Sequence, residues 1–232
     1  YLMPDFHNPT GRCMDAATRQ TITDIAAQTR TTLVVDETMV DLWFDAPPPP
    51  PLAAFNPEAA VMTLGSAGKS FWGGLRLGWI RASSRTIATL AQTRDTLDLG
   101  SPVLEQLATL WLIENSETFL PARREMLAER RDRCGQMLRE HFPEWRFQEA
   151  EGGLSYWIEL PGMLATQLAA RAETTGIIMG TGTRFGLSGA FDRYLRMPFS
   201  LSPPELEEAL LRIKPLWRAL NKSVAPVKRS LV

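Results

Sequence analysis

The sequence has little cysteine, no excess of either charge and no long apolar run, and each shortage removes a class of protein. Only Cys13 and Cys134 are present, far apart and in neither metal-ligand nor CxxC spacing. Two reduced thiols in a cytosolic protein fit that pattern better than a disulfide framework. A net charge of −1 argues against a surface built mainly to hold nucleic acid or an anionic membrane. No stretch approaches the roughly 20 apolar residues of a membrane span, and no signal peptide opens the chain. A P-loop is missing too. The GKS of "GSAGKSFWGGLRLGW" (65–79) would need a glycine five residues before Gly68, and that position is Thr63.

What remains is an ordinary globular composition, 44% hydrophobic and 22% charged in 232 residues, enough for a sizeable core and two domains. The opening Tyr1-Leu2-Met3-Pro4-Asp5 reads as the end of a strand, and we expect a fragment of a longer polypeptide. A helical pattern runs from about Asp15 to Thr29, with Ile22, Ile25 and Ala26 on one face and Asp15 as N-cap. Apolar runs at 31–37, 61–66 and 75–82 read as strands, and the alternation suggests an α/β fold with a mostly parallel, buried sheet. "APPPPPLAAFNP" (46–57) reads as a stiff surface loop within that domain. Helical patterns follow from Ser84 to Asn115, reset at Gly100-Ser101-Pro102. A long charged helix spans about 117–141, with Leu127, Met137 and Leu138 at core spacing. Its mixed signs fit a solvated face better than a nucleic-acid arm. Strands at 145–150, 154–160 and 194–199 and helices near 163–174 and 204–220 complete a small α+β domain. The expected division is 1–117 and 118–232.

The candidate chemistry lies at three strand ends. Lys69 sits among Gly65, Gly68, Gly73 and Gly74, which would clear space beside its amine for a bulky planar partner. Such an amine can attack a carbonyl and form a Schiff base. A surface lysine in a flexible turn is the plain alternative, and this stretch alone does not choose. Asp36 closes the apolar strand "VVDE" where α/β sheets bind ligands, although a strand-end aspartate also serves as a loop anchor. "NPTG" (8–11) is a turn by composition.

Taken together, "PDFHNPTG", "VVDE" and "GSAGKSFWGGLRLGW", in this order, resemble fold-type-I pyridoxal-phosphate enzymes of the class I/II aminotransferase family. With the later "GGLSYWIELP", the wording is most similar to the aminotransferase-like domain of MocR regulators in the GntR superfamily. The resemblance implies the C-terminal half of a large domain followed by a small one, with pyridoxal 5'-phosphate as cofactor. It implies that Lys69 forms the internal aldimine and shuttles protons, and that Asp36 faces the pyridine nitrogen. Asn8 would bond the ring 3-oxygen, Ser66 and Arg76 the phosphate, and Arg196 a substrate α-carboxylate. A tyrosine usual after the ring aspartate is absent: Thr38 and Met39 stand there, and Thr38 offers a weaker hydroxyl. Gly68 also stands where a small hydroxyl residue often precedes the lysine. The implied function is an effector domain sensing an amino acid or related amine through aldimine exchange. It would act as a cytoplasmic homodimer, reaching DNA only through a winged helix-turn-helix outside these residues. A free-standing aminotransferase is the alternative. No metal and no membrane contact are expected.

Overall fold

The computed structural model describes residues 1–94 and 96–224. The described residues divide into two compact units, 1–128 with 150–153, and 129–149 with 154–224. The division falls at Ala128/Glu129, further along the helix than the boundary read from the sequence at 117. The reason lies in the helix's first half: Leu120 and Leu127 are buried, and Arg123 and Arg124 donate hydrogen bonds into the first unit.

In the first unit, α1 (Ala16–Thr29) starts at Asp15, whose side chain accepts from the Thr18 amide, and ends at Arg30 in the left-handed region. Its buried residues are Arg19, Thr23 and Ala26, with Ile22 packed on the core as expected, while Ile25 is exposed. β1 (Leu33–Asp36) pairs parallel with β2 (Val61–Ser66), and β2 pairs antiparallel with β3 (Gly78–Arg81). β3 is shorter than the apolar run at 75–82, because Gly73–Leu75 turns as a 3-10 helix. Leu2 adds a parallel bridge to Val35. Ala26, Leu33, Val35 and Leu52 form a core cluster, with Leu2, Ile22 and Val61 packed against it. The proline-rich loop therefore seals this core through Leu52.

α2 (Ala67–Ser70) is a single turn after β2; α3 (Ser84–Arg94) and α4 (Val103–Glu114) follow β3. Thr109 is the buried residue of α4, and Leu104, Leu107, Leu110 and Trp111 are exposed. So much apolar surface on one helix marks a face built to be covered. α5 (Ser116–His141) crosses from the first unit into the second.

The second unit holds β4 (Ser155–Glu159), α6 (Ala165–Glu173), β5 (Gly180–Thr181), β6 (Tyr194–Pro198) and α7 (Pro203–Val224). Its strands form an antiparallel sheet in the order β4-β6-β5. Met137, Leu138, Ile158, Leu168, Leu195, Leu210 and Trp217 are almost fully buried. The strand expected at 145–150 does not form. Arg146 makes one isolated bridge to Glu159, after which the chain returns to the first unit, where the Phe44 amide donates to Glu151 O and the Gly153 amide to Leu42 O. Among the described residues no helix is long and apolar enough to cross a membrane.

Candidate active site

The strand register gathers most of the candidate residues on one edge of the first sheet. Asp36 lies opposite Leu64 on the parallel neighbour, so β1 and β2 end together. The Asp36 amide donates to Leu2 O, which brings the segment leading into the Asn8 turn to the same edge. Ser66, at the end of β2, faces Gly78 at the start of the returning β3, so Arg76 enters beside Ser66. Asp36, Thr38, Ser66, Lys69 and Arg76 therefore share the carboxyl edge, where α/β sheets place their ligands, and the segment from Leu2 leads on to Asn8. Arg196 lies in β6 of the second unit, opposite Trp157 and with its guanidinium over the Phe185 ring at 5.3 Å.

Each side chain on the edge is held differently. The Asp36 carboxylate is tethered at both oxygens: the Tyr1 phenol donates to Oδ2, and the Thr38 amide donates to Oδ1 at 3.0 Å. That hydrogen bond pushes the Tyr1 hydroxyl up to about 12, with partial desolvation and the carboxylate's charge adding to it. Ser66 caps α2, its Oγ accepting from the Gly68 amide at 3.1 Å. Lys69 is exposed, and its amine has no partner among the described residues. Its carbonyl accepts from Arg123 Nη2 at 2.9 Å. The next residue, Ser70, is buried and donates to Asp41 Oδ2 at 2.6 Å, and Arg124 Nε donates to Asp41 O at 2.9 Å. The amine is thus free while the backbone beneath it is braced. Arg76 is exposed, without a side-chain partner among the described residues, and has φ 49°. An arginine in the left-handed region is uncommon, and such outliers cluster at functional sites. Asn8 sits half-buried in the turn, with Gly11 at φ 70° and its amide donating to His7 O.

Two expectations change. Gly65 and Gly74 do not open space: a Cβ on Gly65 would collide with the Trp79 ring, and one on Gly74 with the Trp72 ring. Gly65 and Trp79 are cross-strand partners, so the indole covers the glycine that leaves it room. Met39 is buried where a phenol was sought, yet a phenol reaches Asp36 after all, from Tyr1. The residues that sequence reasoning passed over, Tyr1, Asp41, Ser70, Arg123 and Arg124, act through the backbone or through contacts distant in sequence. Only the hydroxyl and acid types at positions 70 and 41 hinted at them. Cys13 and Cys134 are free thiols. Cys134 is fully buried, which lifts its thiol to about 12, so it is inert.

A parallel sheet edge carrying a lysine, an aspartate, a hydroxyl and an arginine, joined by a long helix to a small α+β unit, is the design of a fold-type-I pyridoxal-phosphate protein. The family model for class I and II aminotransferases matches residues 3–213, and the chain belongs to that family. It is 34% identical over 163 residues to the HTH-type transcriptional regulator YisV of Bacillus subtilis, covering 68% of this chain and 33% of the regulator. It is 29% identical over 234 residues to the 2-aminoadipate transaminase of Thermus thermophilus, covering 98% of this chain and 58% of that enzyme. The crystal structure of the α-aminoadipate aminotransferase LysN from Thermus thermophilus, complexed with N-(5'-phosphopyridoxyl)-L-leucine, superposes with a TM-score of 0.89. Its identity is 27%, covering 97% of this chain and 59% of LysN. The chain thus spans between a third and three fifths of these relatives' length. The cofactor the family implies is pyridoxal 5'-phosphate, and the donor set on the edge fits it: an unpaired amine for the aldehyde, an oriented carboxylate for the ring nitrogen, and a hydroxyl and an unpaired guanidinium for the phosphate.

Proposed function

We propose that this chain is the cofactor- and effector-sensing domain of a MocR-type transcriptional regulator. It would work as a cytoplasmic homodimer whose winged helix-turn-helix lies elsewhere in the polypeptide. The observation that carries the cofactor reading is the unpaired Lys69 amine on the edge that also presents Asp36, Ser66 and Arg76. The likeness to YisV, and buried Met39 where the family's phenol is usual, favour a sensor over a catalyst.

When bound, pyridoxal phosphate supplies an aldehyde for amines and a ring that accepts electrons from the substrate α-carbon. Lys69 would hold that aldehyde, release it to an incoming amine and carry a proton at the α-carbon. Asp36, oriented by Tyr1 and by the Thr38 amide, would keep the ring nitrogen protonated. Asn8 and the Thr38 hydroxyl would donate to the 3-oxygen, and Ser66 and Arg76 would bind the phosphate. Arg196, in the second unit, would bind the α-carboxylate of an amino acid effector. The second unit would answer that binding, and the response would pass to DNA.

A second reading is a free-standing aminotransferase, favoured by the LysN superposition over nearly the whole chain. Borohydride reduction of the intact protein with pyridoxal phosphate should attach the cofactor to Lys69, and Lys69→Ala should abolish the attachment. Label elsewhere, or none, removes the cofactor reading. An amine that alters the protein's affinity for its own promoter DNA supports the sensor. Steady turnover of an amino acid with a 2-oxo acid, with no DNA binding, transfers the assignment to the enzyme.

A further inference from the structure

Behind the sheet edge lies a buried charged cluster that none of these roles uses. Arg19 of α1 and Asp5 form an ion pair at 2.6 Å, each side chain 1% exposed. The same guanidinium donates from Nε to Met14 O at 2.9 Å and from Nη1 to Pro50 O at 3.2 Å. Its Nη2 also lies 3.5 Å from Pro4 O and from Cys13 Sγ. One side chain therefore ties both ends of the Asn8 turn to the proline-rich loop. Glu37 is buried nearby, and the Leu52 backbone from that loop favours its charged form. Asp5 Oδ2 and Glu37 Oε1 are buried without a hydrogen-bond partner among the described residues. Asp5 lies three residues before Asn8, and Glu37 directly follows Asp36.

Stability does not account for this arrangement. Asp5 pairs with the guanidinium, Glu37 feels only its charge, and burial pushes both carboxyls upward; Asp5 adds to the rise at Glu37, while Arg19 and Arg81 oppose it. Buried ion pairs of this kind are commonly no more stable than apolar residues of similar volume. What the cluster does supply is geometry, because Glu37 adjoins Asp36 and Asp5 lies three residues before Asn8, the two residues that would meet the cofactor ring from different loops.

We propose that Arg19, acting through Asp5 and Glu37, is a positioning residue that fixes the Asn8 turn against the Asp36 strand end and so sets their spacing around the cofactor ring. This rests on the cofactor reading above. Arg19 touches neither cofactor nor substrate in that scheme, and its planar fork is what the role requires; a single ammonium cannot reach the same set of acceptors.

The test uses the intact protein loaded with pyridoxal phosphate. It follows the cofactor dissociation constant, the pH midpoint of the visible band of the lysine-bound cofactor, and the melting temperature. Arg19→Met and Arg19→Lys should both raise the dissociation constant about tenfold and move the midpoint by about half a pH unit or more. Lysine should fail to rescue because the fork, rather than the charge, is needed. A lowered melting temperature with midpoint and dissociation constant unmoved in both variants assigns Arg19 to folding alone and overturns the proposal. If neither arginine variant folds, the near-isosteric Glu37→Gln decides on the same midpoint. A parent protein with no visible band overturns the cofactor reading and this inference together, whereas a normal parent band with unmoved variants overturns this inference only.

Discussion

Replacing Gly78 with alanine should damage cofactor binding from behind the sheet. Gly78 pairs with Ser66 across β2 and β3, and a Cβ there would lie 2.8 Å from Gly65 O, where ordinary contact begins at 3.4 Å. The obstacle is a backbone carbonyl, which no rotamer change can move. β3 must therefore withdraw by roughly half an ångström at the pair that adjoins Arg76, and overpacking of this kind costs about 1–3 kcal/mol. In a protein of this size about 2 kcal/mol lowers the melting temperature by roughly 4–8 °C. A charge-assisted hydrogen bond is worth about 1.5–3 kcal/mol. Displacing the arginine should forfeit about half of that, a rise of roughly threefold to twelvefold in the dissociation constant. Absorbance titration of the intact apoprotein with pyridoxal phosphate measures it. Gly65→Ala is the control: its Cβ meets the Trp79 ring, which is 41% exposed and can swing into solvent. A Gly78→Ala dissociation constant within about twofold of the parent, or a Gly65→Ala variant harmed as severely, would refute the reasoning.

Arg76→Ala should raise the dissociation constant for pyridoxal phosphate by about tenfold or more while leaving the preference among amines as it was. An unchanged constant by the same titration removes Arg76 from the phosphate site. Ser70→Ala and Asp41→Asn, combined in a double-mutant cycle of thermal stability, should show a coupling of about 1 kcal/mol; additivity within about 0.3 kcal/mol would mean that the 2.6 Å contact does not brace the lysine turn. Burial raises the Glu37 carboxyl above its usual value. Folding therefore favours the protonated form, and that contribution is lost as pH rises through the raised value. Glu37→Gln should accordingly gain stability relative to the parent as pH increases from acid to neutral, seen as a melting-temperature difference that grows with pH. A constant difference would place the Glu37 carboxyl at its ordinary value.

Local chemistry was legible in the sequence, and tertiary chemistry was not. Asp15 as a cap, β2 at 61–66 and the long helix ending near His141 depend on neighbours within a few residues, so pattern alone located them. Lys69 and Asp36 stood out at strand ends, the resemblance added Ser66 and Arg76 to them, and the antiparallel return of β3 brings Arg76 back to that edge. By contrast, Ile25 looked buried and is exposed, while Arg19, a residue type with no apolar signal, is buried. Which stripe of α1 faces inward is decided by two loops whose carbonyls satisfy a guanidinium. Tyr1 reaches Asp36 because Leu2 pairs with Val35, a contact between segments more than thirty residues apart. Residues 145–150 have strand-like composition yet bridge only once, since the chain must return toward Leu42. Arg123 was hidden in a charge run whose solvated members have the same residue type.

The continuous α5 helix sets a rule for recombining these proteins. Its first half carries Arg123 and Arg124, which support Lys69 and Asp41, so a chimera grafting a relative's smaller unit at residue 117 would import foreign side chains beneath the lysine. The graft point that keeps the native supports lies past Ala128, inside the helix, where matching the buried face of donor and recipient matters more than matching a loop.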